Sequence, residues 1–227
     1  MKRLLLVVVA IGLATLGQVA AAGQIQFDFV SEPANGASLA AFIEFKGAPA
    51  GTIGFPNAGS GFDFVITRSD TAGMAGINGN IDGTFSVGPI VKTGILELAP
   101  VTGSGTFSLT DPNGKVLSSG LVWNDIFVVA GSQGGLNTGN VPNLTGWSYA
   151  GSYAPFLTIL NGADQSANIS FQFNPSKTLA QLMANGADTR TTYSGSFSSV
   201  PEPSSLALLA SAAVGVLLVA RRRRQTA

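Results

Sequence analysis

The chain contains no cysteine and no histidine. Without Cys there is no disulfide, no thiolate nucleophile and no thiolate metal site. Without His the commonest general base and the commonest metal ligand are missing, and a Ser–His pair is impossible. Charge is scarce as well. Asp, Glu, Lys and Arg make up 11% of the residues, against ~25% in ordinary globular proteins. The charge is also unevenly placed. Between Gly23 and Ser199 the bases are Lys46, Arg68, Lys92, Lys115, Lys177 and Arg190, six against eleven acids. That stretch carries a formal −5, although the whole chain sums to zero. An acidic body without a basic patch argues against nucleic acid as a partner.

What is abundant is glycine, with 29 residues, and phenylalanine, with 14. Period-two alternation recurs along the body. "QIQFDFVS" puts Ile25, Phe27 and Phe29 on one face. "GFDFVITR" does the same with Phe62, Phe64 and Ile66, "GTFSLTD" with Phe107 and Leu109, and "NISFQF" with Ile169, Phe171 and Phe173. Such stretches are half-buried antiparallel strands with one wet face. "DPNGK" (111–115) places Pro second and Gly fourth between two strand patterns, a type I turn running into a Gly bulge. "GINGNIDG" (76–83) and "GSQGGLNTGN" (131–140) read as loops. One short helix is expected in "SKTLAQLMANG", capped by Ser176, ended by Asn185-Gly186, with Leu179, Leu182 and Met183 facing the core. The expected fold class is mainly β: an antiparallel β-sandwich, with a jelly roll as one form of it, and one short helix.

The two chain ends differ from the body. "MKRLLLVVVAIGLATLGQVAAAG" has a basic start at Lys2 and Arg3, an apolar stretch from Leu4 to Leu16, and the small residues Ala20 to Ala22. This is the pattern of a secretory signal helix, residues 1–22, cut before Gly23. At the other end, 204–220 is a 17-residue run without charge, at the short limit of the ~17–25 residues that span a bilayer. Arg221, Arg222, Arg223 and Arg224 follow at once. Such a block stays on the cytoplasmic side, which leaves the body outside. A buried core helix would not end in so dense a charge block. Ahead of the run stands Pro201-Glu202-Pro203. Each Pro fixes φ and lacks an N–H, and the residue before each is pushed to an extended conformation. The tripeptide is therefore a stiff, extended peptide that can join neither the helix behind it nor a central strand ahead of it.

Pro201-Glu202-Pro203, the apolar run and the Arg block, in this order at the C-terminus and with a secretory signal in front, resemble the PEP-CTERM sorting signal. The resemblance covers about 25 residues, 200–227 at its widest. It implies an exosortase-like membrane enzyme as partner, with Pro201, Glu202 and Pro203 as recognition residues. It implies that 204–220 is a single transmembrane helix anchoring the precursor, and that Arg221 to Arg224 form the stop-transfer tail. It also implies an exported precursor, anchored in the inner membrane with its body outside the cytoplasm and bound for the cell surface or the extracellular matrix. The expected organisation is then signal peptide 1–22, β domain 23–199 and sorting signal 200–227.

Within the β domain few residues stand out chemically. Asn78, Asn80 and Asp82 alternate before Gly83 as at the start of a calcium loop. The twelfth position is Pro89, where such a loop needs a bidentate Glu, so the stretch is read as a Gly-rich turn. No spacing marks a carboxylate pair of the glycosidase kind, and no Ser–Lys motif stands out. The expectation is a protein that is not an enzyme, with no catalytic, cofactor-binding or metal-binding residues. Trp147, Tyr149 and Tyr153 in "GWSYAGSY" are the candidate glycan contacts, since each offers a flat apolar face and a polar handle. Ordinary packing is the plainer reading of the same residues. Trp123, in mid-strand, is expected in the core. The expected function is a structural or adhesive role in envelope or biofilm; the alternative is a carbohydrate-binding module of the exopolysaccharide matrix.

Overall fold

The computed structural model describes residues 25–31, 41–56, 61–129, 135–137, 144–162, 164–173 and 175–200. The expected signal segment, the Pro-Glu-Pro motif, the apolar run 204–220 and the Arg block lie outside the described residues. Among the described residues no helix is long and apolar enough to cross a membrane.

The body is mainly antiparallel β. Its strands are β1 (Ile25–Ser31), β2 (Ile43–Lys46), β3 (Thr52–Gly54), β4 (Phe64–Ser69), β5 (Asn78–Val87), β6 (Val91–Thr93) and β7 (Leu96–Thr110). There follow β8 (Val116–Val122), β9 (Asp125–Val129), β10 (Gly135–Asn137), β11 (Leu144–Tyr149), β12 (Asp164–Phe171), β13 (Asp188–Thr191) and β14 (Tyr193–Val200). Among the described residues two short helices accompany them, α1 (Ala154–Leu160) and α2 (Leu179–Leu182).

All fourteen strands belong to one sheet, so the expected sandwich of two separate sheets is not the arrangement found. The pairings run β7–β9–β10–β12–β14–β1–β4–β5, and β5 pairs with β7 again. The sheet thus closes on itself into a nearly barrel-shaped structure. The chain β3–β2–β13 extends from β5, and β11 extends from β8. Closure follows from β7, whose 15 residues carry two partners in succession along each edge. β5 continues into β6 on one edge, and Gly88 N–H donates to Pro100 O (2.8 Å) across the break. β8 continues into β9 on the other edge, and Val101 N–H donates to Asn124 O (2.8 Å). Strands that serve two parts of a sheet need a bend, and glycine supplies one. Gly83 (φ 146°) and Gly103 (φ 140°) lie at mid-strand on adjacent strands.

The alternating pattern sorts the core as expected at Ile25, Phe27, Phe29, Phe64, Ile66, Phe107, Leu109, Ile169 and Phe171, all buried. Phe62 departs from it, being 38% exposed ahead of β4. Trp123 is in the core, and its indole N–H donates to Asp125 O (2.8 Å). Several glycines lie within strands opposite a phenylalanine. Phe29 pairs with Gly195, Phe64 with Gly79 and Phe85 with Gly103. A Cβ on Gly195 would stand 2.2 Å from Phe29 Cζ, and one on Gly79 would stand 2.2 Å from Phe64 Cζ. The absent side chain is the space the ring occupies. This is why "GINGNIDG", expected as a loop, runs into strand β5. "DPNGK" is the turn expected: the Asp111 carboxylate accepts from Asn113 N–H (2.7 Å) and Lys115 N–H (2.8 Å).

α2 falls in the predicted helical stretch, with Leu179 and Leu182 buried and Met183 packed against the core. Its cap is Thr178 rather than Ser176. The Thr178 hydroxyl accepts from Gln181 N–H, and the Gln181 side chain accepts from Thr178 N–H, a capping box. The buried Glu97 of β7 holds this helix to the sheet, accepting from Ala180 N–H (3.0 Å) and pairing with Lys92 Nζ (3.5 Å). α1 has no counterpart in the prediction. Pro155 in its first turn starts it and Phe156 and Ile159 anchor it, but seven residues are too few for a periodic signal.

Candidate functional site

The region next to the sorting tail is built from the first and last strands of the body. β1 pairs antiparallel with β14: Ile25 faces Ser199, Phe27 faces Phe197 and Phe29 faces Gly195. β12 pairs along the other edge of β14, from Asp164 opposite Val200 to Phe171 opposite Tyr193. β14 is therefore an inner strand with both edges used. Its inward face is apolar and close-packed. Phe197 stacks on Phe27 at 4.5 Å between centroids, with 12° between planes, and Phe107 stacks beyond it at 6.3 Å. The strand runs to Val200, the residue before Pro201.

The candidate glycan contacts lie on β11 and on the turn into α1, and their rings are turned inward. Trp147 packs edge-on against Phe107 and Phe197, at 6.4 and 6.0 Å. Its indole nitrogen is buried without a hydrogen-bond partner. Tyr149 and Tyr153 both meet the buried ring of Phe156 edge-on, at 5.3 and 5.2 Å. Their hydroxyls are engaged. Tyr149 Oη donates to Asp111 Oδ2 (2.5 Å) and accepts from Tyr153 N–H (3.0 Å). Tyr153 Oη donates to Gly73 O (2.6 Å). Burial works to raise the Asp111 pKa, but the Tyr149 hydroxyl and the Lys115 and Asn113 N–H groups outweigh it, holding the carboxyl below the usual range. Burial, and then the same carboxylate, push the Tyr149 phenol up. This segment closes the 111–115 turn onto α1, a role that nothing in its sequence spacing shows.

Asn78, Asn80 and Asp82 lie on strand β5 rather than in a loop. Asn80 Oδ1 accepts from Asp63 N–H (3.1 Å), and Asp63 Oδ2 accepts from Ile81 N–H (3.0 Å). Asp63 is 3% exposed. Burial, with the Asp82 charge adding to it and the Ile81 N–H opposing it, pushes its carboxyl up to about 6. Sequence reasoning missed Asp63, because it lies between Phe62 and Phe64 where alternation assigns an outward, wet position. Tyr193, on β14, has a buried hydroxyl without a partner, and its pKa is raised well above the ordinary value by burial and by the Asp63 charge. Among the described residues no group of three or more acidic side chains is arranged to hold a metal ion.

What the architecture defines is an antiparallel β body whose last inner strand leads directly into a C-terminal tail. That tail carries the PEP-CTERM protein-sorting motif, whose family model matches residues 199–224. The chain is thus a sorted, exported protein, and the motif implies processing by an exosortase-like membrane enzyme. No curated protein and no solved structure matches the chain.

Proposed function

We propose that this chain is a non-catalytic structural or adhesive protein of the cell envelope or biofilm matrix, delivered by its PEP-CTERM tail. In this reading residues 1–22 direct export, 204–220 holds the precursor in the inner membrane, and Arg221 to Arg224 stay on the cytoplasmic side. Pro201, Glu202 and Pro203 present an extended peptide to the processing enzyme. The observation that carries the reading is the motif match at residues 199–224, which begins in the last two residues of β14 and continues into the tail. The structural role is supported by how the body uses its unusual residues. Most of its phenylalanine rings go into the core, several strand glycines make room for them, and the two tyrosine hydroxyls of the aromatic segment close turns. A glycan-binding role would have to use the ring edges that this packing leaves exposed, and so has less support.

Replacing Pro201-Glu202-Pro203 by three alanines tests the sorting part. Intact mass of the protein from its native host is expected to show the full tail retained in the variant and removed in the wild type. Normal trimming of the variant would mean that the tripeptide is not read.

A further inference from the structure

The first two residues of the matched stretch, Ser199 and Val200, belong to the sheet. Ser199 is 3% exposed and pairs with Ile25 on one side and Gln165 on the other. Val200 faces Asp164. A proteolytic enzyme takes its substrate as an extended segment, whose backbone groups must be free to pair inside the enzyme's cleft. Every residue of β14 pairs with β12, and residues 194 to 199 pair with β1 as well. Freeing the strand means breaking both ladders and withdrawing Phe197 from Phe27 and Phe107, which amounts to opening the ring. Openings of that size approach the free energy of global unfolding.

We propose that β14 sets the processing boundary. The folded body admits cleavage only on the C-terminal side of Val200, and the part of the motif that an enzyme reads on the folded chain begins at Pro201. Ser199 and Val200 then serve the fold and not recognition. This rests on the sorting reading above and deepens it. It also means that release does not unfold the body, because β1 and β12 keep their partner. The expected signal cut before Gly23 falls two residues ahead of β1, at the same end of the β1–β14 pair. Both ends of the processed chain therefore lie just outside one pair of strands.

Full-length protein, purified in detergent with its tail, is treated with a protease of broad specificity, and the trimmed body is sized by intact mass. Trimming is expected to stop within a few residues after Val200, with the β circular-dichroism spectrum unchanged. Ends within 193–199 on a body that is still folded would overturn the proposal. In the native host, the released protein is expected to end at Val200 or later, and Ser199→Ala is expected to be processed like the wild type. A native end before Val200, or a folded Ser199→Ala body that keeps its tail, would equally overturn it. A wild-type protein that keeps its tail in the host speaks against the sorting reading alone, and the detergent digestion still decides whether β14 is the boundary.

Discussion

β14 and the β6–β7 hairpin use the same alternating pattern and reach opposite outcomes. In β14 and its neighbour β1 the apolar residues Phe27, Phe29 and Phe197 are at most 2% exposed. In the hairpin, Val91, Ile95, Leu96 and Leu98 are 59%, 66%, 37% and 41% exposed. Val91 faces Leu98 across the ladder, so the two make one apolar row on the outer surface, while Glu97 and Ala99 are the residues turned inward. Alternation tells that a strand has two faces; its neighbours decide which face is covered. A charged side chain can take the inner position when it has work there, as Glu97 does at the start of α2.

The contrast can be broken most sharply at Phe197. Phe197→Ala removes a ring stacked on two others, and chemical denaturation is expected to show a loss of about 3–5 kcal/mol. A loss under 1 kcal/mol would mean that β14 is not the close-packed centre of the sheet.

A second effect depends on pH. Asp63 has a folded pKa of about 6 against an ordinary 3.8. Because the folded state holds this proton more tightly, its contribution is fully present below pH 3.8 and is lost as pH rises to 6. The loss is roughly 3 kcal/mol. Asp111 works the other way. Its lowered pKa gives a contribution present above 3.8 and lost as pH falls through its folded value. Stability measured between pH 4 and 6 is expected to fall with rising pH in the wild type, and the Asp63 part of that slope is expected to vanish in Asp63→Asn. An unchanged slope in the variant would assign the effect to another group.

Smaller still is Tyr149→Phe, which removes a hydroxyl from the Asp111 carboxylate. The expected cost is about 1–2 kcal/mol, together with a rise in the Asp111 pKa readable by NMR titration. A variant that also loses retention on the host's polysaccharide while staying folded would instead revive the glycan-binding alternative. At the low end, Leu98→Ser in the hairpin is expected to change stability by no more than about 0.5 kcal/mol. A loss comparable to that of Phe197→Ala would show that the hairpin's outer face is covered in the protein as it is isolated.

Much of this body is legible as local pattern. The inward positions of Ile25, Phe27, Phe29, Phe107 and Leu109, the 111–115 turn and the core stripe of α2 all follow from period and turn chemistry. What was not legible depends on partners far along the chain. Gly79 looks like a loop residue until Phe64 is placed opposite it. The contacts of Tyr149 and Tyr153 with Asp111, Gly73 and Phe156 are made across the fold and leave no trace in the spacing of the segment. Ser176 and Thr178 are both acceptable caps, and only the reciprocal bond of Gln181 selects Thr178.

By itself the sequence determined that the body is antiparallel β, because period two needs no partner to be seen. It also determined that the chain carries a sorting tail, because Pro-Glu-Pro, an apolar run and an Arg block act through composition and order. Only the tertiary structure decided that the strands close into one sheet, that glycines seat phenylalanines, and that β14 joins the body before the tail begins. Those outcomes rest on pairings between strands as distant as Ile25 and Ser199. Such pairings are chosen by the packing of the whole core, and no local stretch contains them.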